Sequence, residues 1–419
     1  MQRVIITGLG AVTPIGLTVD DFWRNLTSGL SGVGPITQFD ATGFEVRIAA
    51  EVKGFDPRNF MEFKEARRTH RSAHFALAAA RLALADAGLT IDRAMAENVG
   101  VVINTGGGGI GEVEQATPTL LQKGPSRISP FVIPNTMANA PACQVSIHTG
   151  ARGPLIASTS ACASGNQALL EAMHILQRGE AEVMIAGATE AAIIPLAVAG
   201  FANAGALSHR NDEPTRASRP FDRERDGFVL GEGAAVVILE TEAHARRRNA
   251  RIYAQVAGGA LTSDAYHITA PDPEGDGARR AMAKSLRTAA LKPEEIDVVF
   301  AHGTSTPLND ATETQAIKTV FGAHASRLAI SATKSMIGHL VGAAGAVSAL
   351  AAVLAIRDGI VPPTINLENP DPACNLDYVP NAARRMPVNA AMVNAFGFGG
   401  QNVVVVLRRY EESGSTSSG

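Results

Sequence analysis

Short β-branched runs alternate along this chain with alanine-rich stretches of helical periodicity, and this alternation limits the folds open to it. The apolar runs are 4–7, 99–103, 183–186 and 234–239, and the helical stretches between them include 73–87 and 168–177. Short apolar runs separated by helices are typical of buried sheets covered by helices, so the sequence predicts an α/β fold. The 41 glycines and the low aromatic content, 5%, suit close packing of helices on such sheets.

The same alternation begins again near Arg251. It comprises apolar runs at 253–256, 296–301, 328–331, 392–394 and 403–407, with helical stretches at 277–290 and 343–356. The repeat is one of pattern and not of residue identity. It predicts two similar halves, 1–250 and 251–410, and the low-complexity segment 411–419 predicts a disordered tail.

Bulk properties exclude several classes of protein. A chain of 419 residues that is 46% hydrophobic can form one large domain or two packed halves. Its net charge of −3 gives no basic field for nucleic acid. The richest apolar stretches are interrupted by Glu190 or end at Arg357, short of the ~20 residues that span a bilayer. Three cysteines leave one over after any pairing, which favours free thiols. With no recognisable targeting segment, we expect a cytoplasmic location.

Cys162 is the candidate nucleophile. It follows a loop of small polar residues and precedes a helical stretch, so its thiol is expected at a helix N-terminus. Unpaired N–H groups and the helix dipole at such a site lower a thiol pKa, and a lowered pKa is therefore predicted. A lone cysteine is more often a small buried residue, which is the interpretation we give to Cys143 and Cys374.

Two histidines are framed by separate motifs far downstream. His302 directly follows the run 296–301, and the carboxyl end of a strand is where α/β sheets bind ligands. His339 lies between Lys334 and the small residues 342–345. One soft nucleophile and two imidazoles suit carbon–carbon bond formation between two thioesters, whereas a cysteine hydrolase needs one histidine. No histidine has zinc-like spacing to the cysteines, so no catalytic metal is predicted.

Charged and glycine-rich segments complete the candidate site. Asp310 and Glu313 lie one helical turn apart and are placed to pair with Lys334. The segment 394–400 sets two phenylalanines among glycines, whose N–H groups can form an oxyanion hole. The glycines at 8–10 and 106–109 complete no nucleotide-binding motif, and no cofactor is predicted.

Together these motifs resemble those of the β-ketoacyl-[acyl carrier protein] synthases, the condensing enzymes of fatty acid synthesis, and most closely the type II elongating synthases. The resemblance runs from Val4 to about Leu407 and is carried by the segments 7–10, 159–165, 218–222, 225–231, 302–307, 334–339 and 394–400. It implies a thiolase-like fold of duplicated halves in five α-β-α-β-α layers, a homodimer, and no cofactor.

The resemblance also implies roles for individual residues. Cys162 would accept the acyl chain, and its N–H group and that of Phe398 would form the oxyanion hole. His302 and His339 would bind the malonyl thioester carbonyl and stabilise the enolate left by loss of CO2. Lys334, paired with Asp310 and Glu313, would order this network. The residues assigned to substrate binding are Gly107, Thr269, Thr304, Thr306, Phe396 and Gly399, with Phe398 as a gate between the acyl and malonyl sides.

The expected partner is the acidic acyl carrier protein. The resemblance implies a basic patch that meets it, formed by Lys64, Arg67 and Arg68, and Arg127 is a further candidate. Gly205 stands where some relatives carry an arginine of this patch.

Three further positions depart from the pattern of many relatives. Ser348 replaces a glutamate that helps to order the histidine–lysine network and any nearby structural cation. Gln401 replaces a threonine or histidine. Gly107 stands where some elongating synthases carry a larger aliphatic residue bordering the acyl pocket, which predicts a roomier pocket and shorter products for Gly107→Ile.

Two other functions remain open at this point. A polyketide-pathway ketosynthase would use the same chemistry on another primer. A non-condensing partner subunit that sets chain length would lack the nucleophile, and Cys162 argues against it. A degradative thiolase needs a second catalytic cysteine, and no motif surrounds Cys374. A type III starter synthase pairs the cysteine with one histidine and an asparagine, whereas this chain offers two histidines.

Overall fold

A computed structural model describes residues 2–412 of the chain. Its strands are β1 Val4–Val12, β2 Gly34–Pro35, β3 Ile48–Ala49, β4 Val99–Asn104, β5 Leu155–Ile156, β6 Val183–Glu190, β7 Gly233–Thr241, β8 Ala254–Ser263, β9 Val298–Phe300, β10 Ala329–Ser331, β11 Ile360–Val361, β12 Arg384–Arg385, β13 Ala390–Gly397 and β14 Gln401–Arg408. Its α-helices are α1 Val19–Thr27, α2 Phe63–Ala66, α3 Arg71–Asp86, α4 Ile110–Lys123, α5 Val132–Thr136, α6 Ala140–Thr149, α7 Ser164–Gln177, α8 Pro195–Asn203, α9 Glu242–Arg247, α10 Asp276–Ala289, α11 Pro307–Phe321, α12 Lys334–Ile337 and α13 Ala344–Asp358. Every strand and helix predicted above forms, with β9 shorter than its apolar run. The predicted tail lies almost wholly outside the described residues.

The main sheet has two parts that meet along one edge. Its strand order is β10-β9-β13-β14-β8-β1-β7-β6-β4-β5. Strands β1, β4, β5, β6 and β7 come from the first part of the chain, and β8, β9, β10, β13 and β14 from the second. Only three residue pairs, Val4 to Ile6 against Ala254 to Val256, join β1 to β8. Each part has parallel strands at its outer side, β4–β6 and β9–β13.

Helices form three layers around the two parts of the sheet. In the middle, α7 and α13 pack against each other and against strands of both parts. Outside, α3 and α6 cover the first part, and α10, backed by α11, covers the second. The result is the five-layer α-β-α-β-α arrangement that the sequence resemblance implied.

The central helix α13 is apolar on all sides because it is surrounded by protein. Its residues from Ala344 to Ile356 are buried without exception. Within residues 2–412, the stretch Val341–Asp358 is the one helical segment long and apolar enough to cross a bilayer, and most of it is buried inside the protein. An apolar helix enclosed in this way is a core helix.

Glycines permit two of the closest approaches between layers. A Cβ atom at Gly10 on β1 would lie 1.9 Å from the carbonyl oxygen of Ala79 on α3, and one at Gly165 on α7 would lie 2.3 Å from the N atom of Ala346 on α13. Gly8 and Gly10 therefore permit close packing of α3 on β1. Close contact of α7 with α13 fixes the start of α7, which carries the candidate nucleophile.

Candidate active site

Cys162, His302 and His339 line one cavity of about 380 Å³. They come from three segments that lie far apart in sequence: the turn before α7, the loop after β9 and the loop after α12. Six of the other predicted residues line the same cavity, namely Thr269, Thr304, Thr306, Glu313, Phe396 and Phe398. The fold therefore brings together the nucleophile, both imidazoles and most of the predicted substrate contacts.

The cysteine sits in a single 3₁₀ turn, Ala161–Ala163, that leads into α7. Ala161 has a φ of +48°, which is unusual for a residue with a side chain. Ser164 holds this turn, because its hydroxyl accepts a 2.9 Å hydrogen bond from the Ser160 N–H group and donates a 2.7 Å bond to the Ala161 carbonyl. The backbone N–H groups of Phe398 and of Cys162 itself both act to lower the pKa of the thiol, so they lie near the sulfur. These are the two groups predicted to form the oxyanion hole.

The predicted lowering of the Cys162 pKa was wrong. Burial raises the pKa of this thiol to about 11, and the Lys334 charge and the Phe398 N–H group only partly oppose the rise. The carboxylate of Glu190 raises it further. The side chains around the cavity are mostly apolar, including Phe201, Phe228 and Val341. Such surroundings disfavour a thiolate more than the start of α7 favours it.

Both candidate histidines are neutral imidazoles in aromatic surroundings. Burial and the nearby Lys334 charge lower the pKa of His302 and of His339 well below the ordinary value. The two rings meet edge to face with centroids 5.6 Å apart. Phe228 lies edge to face on His339, and Phe396 lies 5.5 Å from His302, centroid to centroid. A neutral imidazole can donate its one N–H to a carbonyl oxygen without bringing a charge into the cavity.

Glu313 holds the main chain at His302. Its two carboxylate oxygens accept 2.8 Å hydrogen bonds from the N–H groups of His302 and Gly303, and the Asn394 amide donates to it at 2.9 Å. From the other side, the Lys334 Nζ atom donates a 2.6 Å bond to the His302 carbonyl oxygen. Both backbone groups of His302 are therefore fixed by buried charged side chains.

The expected direct pairing of Lys334 with the two carboxylates was wrong. Among the described residues, no ion pair within 4 Å joins Lys334 to Asp310 or Glu313. Both carboxylates are occupied by backbone N–H groups, so Lys334 reaches the His302 carbonyl instead. Asp310 accepts from the N–H groups of Phe221 and Ser305 at 2.8 and 3.2 Å. It thereby holds two residues that have positive φ angles, +66° and +69°.

Burial sets the charge state of this network. It lowers the pKa of Lys334 to about 8, although Glu313, Cys162 and Asp310 act in the opposite direction. It raises the pKa of Glu313 and of Asp310, which the donated hydrogen bonds oppose. The ammonium group of Lys334 therefore titrates much closer to neutral pH than an exposed lysine does.

Comparison with known proteins identifies the family. The model of the beta-ketoacyl synthase N-terminal domain matches residues 1–245, and that of the beta-ketoacyl synthase C-terminal domain matches residues 253–368. The chain belongs to the β-ketoacyl synthase family. It is therefore an enzyme of the condensing, acyl-transferring type, as the sequence motifs predicted.

Curated relatives and solved structures of this family match almost the whole chain. The chain is 52% identical over 410 residues to a 3-oxoacyl-[acyl-carrier-protein] synthase 2 of Synechocystis, covering 98% of this chain and 99% of the relative. It is 51% identical to the protein of the same name from Coxiella burnetii, covering 97% and 99%. A β-ketoacyl synthase from Burkholderia phymatum superposes with a TM-score of 0.92 at 36% identity, covering 98% and 100%. A type II PKS acyl-carrier protein in complex with its ketosynthase, bound to the hexaketide, superposes with a TM-score of 0.90 at 35% identity, covering 98% and 100%.

Two glycines assigned to substrate binding lie outside the wall of the synthase cavity. Gly107 is exposed, and a Cβ atom there would lie 3.3 Å from the Glu190 Oε1 atom and 3.9 Å from Ile110. Gly399 is also exposed, and its N–H group donates to the Ile268 carbonyl at 2.7 Å. In this chain, Gly107 therefore contacts Glu190 and does not line the cavity.

The four cations of the predicted carrier-protein patch are all exposed. Lys64 lies on α2, with Arg67 and Arg68 directly after it, and Arg127 ends the 3₁₀ turn Pro125–Arg127. The Arg68 guanidinium lies 5.2 Å from the ring centroid of Phe131. The Asn135 side chain donates to the Arg68 carbonyl at 2.8 Å. These contacts connect α2 to the segment that follows Arg127.

Three residues that the resemblance marked as departures, Ser348, Gln401 and Gly205, each have a defined position in the structure. The buried hydroxyl of Ser348 lies 3.1 Å from that of Thr333, next to Lys334. Gln401 pairs with Ser263 and Gly397 at the ends of neighbouring strands. Gly205 lines the cavity.

Motif analysis assigned no role to Glu190 or Asn394. Both are buried, and Asn394 donates to Glu313. Glu190 ends β6 and accepts hydrogen bonds from loops of both parts of the chain. The available signal for Glu190 was a lone carboxylate in the apolar stretch 183–194, because a buried charge needs a specific set of partners.

Proposed function

We propose that this enzyme catalyses the decarboxylative Claisen condensation of an acyl chain with malonyl-[acyl carrier protein] in fatty acid elongation. The products are a 3-oxoacyl-[acyl carrier protein] two carbons longer and CO2. The observation that carries the proposal is the convergence of Cys162, His302 and His339 on one cavity.

The first step is acyl transfer to Cys162. The sulfur attacks the thioester carbonyl of acyl-carrier protein, and the carrier protein's thiol leaves with the proton that the cysteine thiol gives up. The N–H groups of Cys162 and Phe398 both act to lower the pKa of the Cys162 thiol, which supports a position near the sulfur. They are therefore close to the oxyanion that forms on the carbonyl bonded to it.

The second step is decarboxylation and condensation. His302 and His339 donate to the thioester carbonyl of malonyl-carrier protein and stabilise the enolate left when CO2 departs. The carbanion attacks the acyl carbonyl on Cys162, the new carbon–carbon bond forms, and the sulfur leaves as thiolate and regains a proton. Neutral imidazoles suit this role because each can donate one N–H hydrogen bond to the oxygen that becomes negatively charged.

The remaining residues position these groups. Lys334 and Glu313 hold the backbone of His302, and Asp310 holds the turn that begins at Ser305. The hydroxyls of Thr304 and Thr306, which lie 2.9 Å apart, offer polar contacts for the pantetheine arm. Phe398 stands at the cavity wall beside Cys162, where it can separate the acyl side from the malonyl side.

Sequence identity favours fatty acid over polyketide substrates. The relatives named 3-oxoacyl-[acyl-carrier-protein] synthase 2 are 46–52% identical to the chain. The ketosynthase of the polyketide complex is 35% identical. The presence of Cys162 with both histidines argues against a non-condensing chain-length subunit.

Mass spectrometry of reaction products tests the proposal. Purified enzyme would receive malonyl-carrier protein and a ladder of acyl-carrier protein primers of different lengths. Products two carbons longer than the primer are expected, with an acyl adduct on Cys162. Acetyl-carrier protein alone, without an adduct, would contradict condensation on these primers, and extension of polyketide primers only would favour the alternative pathway.

We further propose that the patch of Lys64, Arg67, Arg68 and Arg127 binds the acidic carrier protein. Charge reversal at Arg67 and Arg68 is expected to raise KM for malonyl-carrier protein and to weaken its salt dependence, with little change in kcat. Lys284, an exposed cation on α10, provides the matched control for charge reversal. An equal effect of Lys284→Glu would contradict a localised docking patch.

The assembly, location and domain division of the enzyme are proposals of the same kind. Edge strand β5 and the exposed side chains of Leu121, Ile133 and Ile147 support a homodimer that covers them. Light scattering that finds only monomers at assay concentration would contradict this.

We also propose that residues 1–250 and 251–410 are the two duplicated halves, and that the enzyme acts in the cytoplasm.

A further inference from the structure

Glu190 is a fully buried carboxylate, and the steps above do not use it. Its Oε1 atom accepts from the Thr105 hydroxyl at 3.1 Å and the Gly107 N–H at 3.2 Å. Its Oε2 atom accepts from the Gly106 N–H at 2.8 Å and the Gly342 N–H at 2.9 Å. Burial raises the pKa of Glu190, and these four hydrogen bonds oppose the rise. Each oxygen accepts two hydrogen bonds, so both oxygens are occupied as acceptors, which favours the anion.

These four bonds join loops from two distant parts of the chain. Residues 105–107 follow β4, and Gly342 lies in the 3₁₀ turn Val341–Ala343 before α13. The two backbones touch, since a Cβ atom at Gly342 would lie 2.2 Å from the Gly106 N atom. Glu190 therefore supplies the acceptors at a junction where backbone N–H groups approach from both sides.

The residue that this junction holds in place lines the cavity. Val341 lies beside Cys162 in the cavity wall and has a φ of +42°. A positive φ is costly for a β-branched residue and persists only where surrounding contacts enforce it. The bond from the Gly342 N–H to Glu190 fixes the peptide directly after Val341.

We propose that Glu190 is a positioning residue for acyl transfer, which holds Val341 in the cavity wall and keeps Cys162 as a thiol in the resting enzyme. The inference rests on the proposed acyl transfer to Cys162. Its second part follows from charge, because an anion close to a thiol disfavours the thiolate, and Glu190 does raise the pKa of Cys162. A resting thiol is protected from premature alkylation and oxidation.

Two substitutions at one position separate geometry from charge. Glu190→Gln removes the charge and replaces one acceptor oxygen with a donor, whereas Glu190→Asp keeps the charge on a shorter side chain. Both variants should slow acyl transfer to Cys162 about tenfold or more. Only Glu190→Gln should speed alkylation of Cys162 by iodoacetamide at pH 8, by about threefold or more. A merely structural role predicts similar alkylation of both variants.

Glu240 provides the matched control. It is also fully buried and accepts hydrogen bonds from Thr7 and Arg248. It pairs with Val183, at the opposite end of β6 from Glu190. Glu240→Gln should leave the alkylation rate of Cys162 unchanged.

The outcomes are distinct from those that test the proposed function. Unchanged acyl transfer in Glu190→Asp, or equal alkylation of wild type and Glu190→Gln, would overturn the inference. If Glu190→Gln does not fold, Glu190→Asp decides: slowed acyl transfer with wild-type alkylation supports it. If wild-type enzyme forms no condensation product, the proposed function fails, whereas the alkylation comparison still reports on the charge at Glu190.

Discussion

Two buried carboxylates, Glu190 and Glu313, support the two chemical sides of the site in different ways. Glu313 accepts hydrogen bonds from His302, Gly303 and Asn394, all in the second part of the chain. Glu190 accepts from residues 105–107 and from Gly342, and so connects both parts. The histidine side is held within one half, whereas the cysteine side depends on how the halves meet.

This difference separates the two partial reactions. Substitutions on the histidine side should affect malonyl decarboxylation first, because we propose that the histidines bind the malonyl thioester. Substitutions on the cysteine side should affect acyl transfer first. Assaying the two reactions separately, as CO2 release and as acyl adduct formation, therefore measures the two sides independently.

Cys162→Ala should have the largest effect on activity, and it should separate acyl transfer from malonyl decarboxylation. Acyl transfer should vanish because Cys162 carries the one thiol among the described residues that line the cavity, while some decarboxylation of malonyl-carrier protein should remain on the intact histidines. Adduct mass and CO2 release measure the two rates. Loss of both reactions would show that the thiol also shapes the malonyl side.

Glu313→Gln should break the histidine side alone. The carboxylate accepts hydrogen bonds from two backbone N–H groups, and in the glutamine variant one of these groups would face an amide donor. Because two donors repel each other, the loop at His302 should shift. A small misplacement of a catalytic group can cost about 100-fold, so CO2 release should fall by roughly that factor. Acyl adduct formation should change only a few-fold, and an equal loss of both rates would contradict the division into sides.

The pH dependence of decarboxylation should report on Lys334. Its pKa of about 8 means that the ammonium group bound to the His302 carbonyl loses its proton as pH rises through about 8, so CO2 release should decline there. Because the unfolded chain keeps this proton up to its ordinary pKa, it binds more protons than the native state between these values. Lys334 therefore makes the free energy of unfolding rise with pH in that range.

Lys334→Met is the control for that profile. It should remove the decline in CO2 release near pH 8 from a lower starting rate, and it should flatten the rise in the free energy of unfolding measured in urea at pH 8–10. A decline that persists in Lys334→Met belongs to another group.

The sequence predicted the secondary-structure elements and the residues of the site better than the pKa values and hydrogen-bond partners of those residues. The β-branched runs identified the strands, and the small-residue frame of Cys162 and the motifs of His302 and His339 identified the cavity. The thiol pKa was predicted in the wrong direction because burial by Phe201, Phe228 and Val341 depends on tertiary packing. The partners of Glu190 and Lys334 could not be predicted, since they are backbone groups remote in sequence.

The smallest effect is expected for Gly107→Ala, which tests whether position 107 lines the cavity or only contacts Glu190. Because a Cβ atom there meets only Glu190 and Ile110 at 3.3 and 3.9 Å, Gly107→Ala requires a shift of a few tenths of an ångström in the Glu190 carboxylate. Stability should change by less than about 1 kcal/mol, and the chain-length distribution of products should not change. Gly107→Ile, whose side chain has three more carbons than that of alanine, should slow acyl transfer. Shorter products from Gly107→Ala would show instead that this position borders the acyl chain directly, as the sequence resemblance implied.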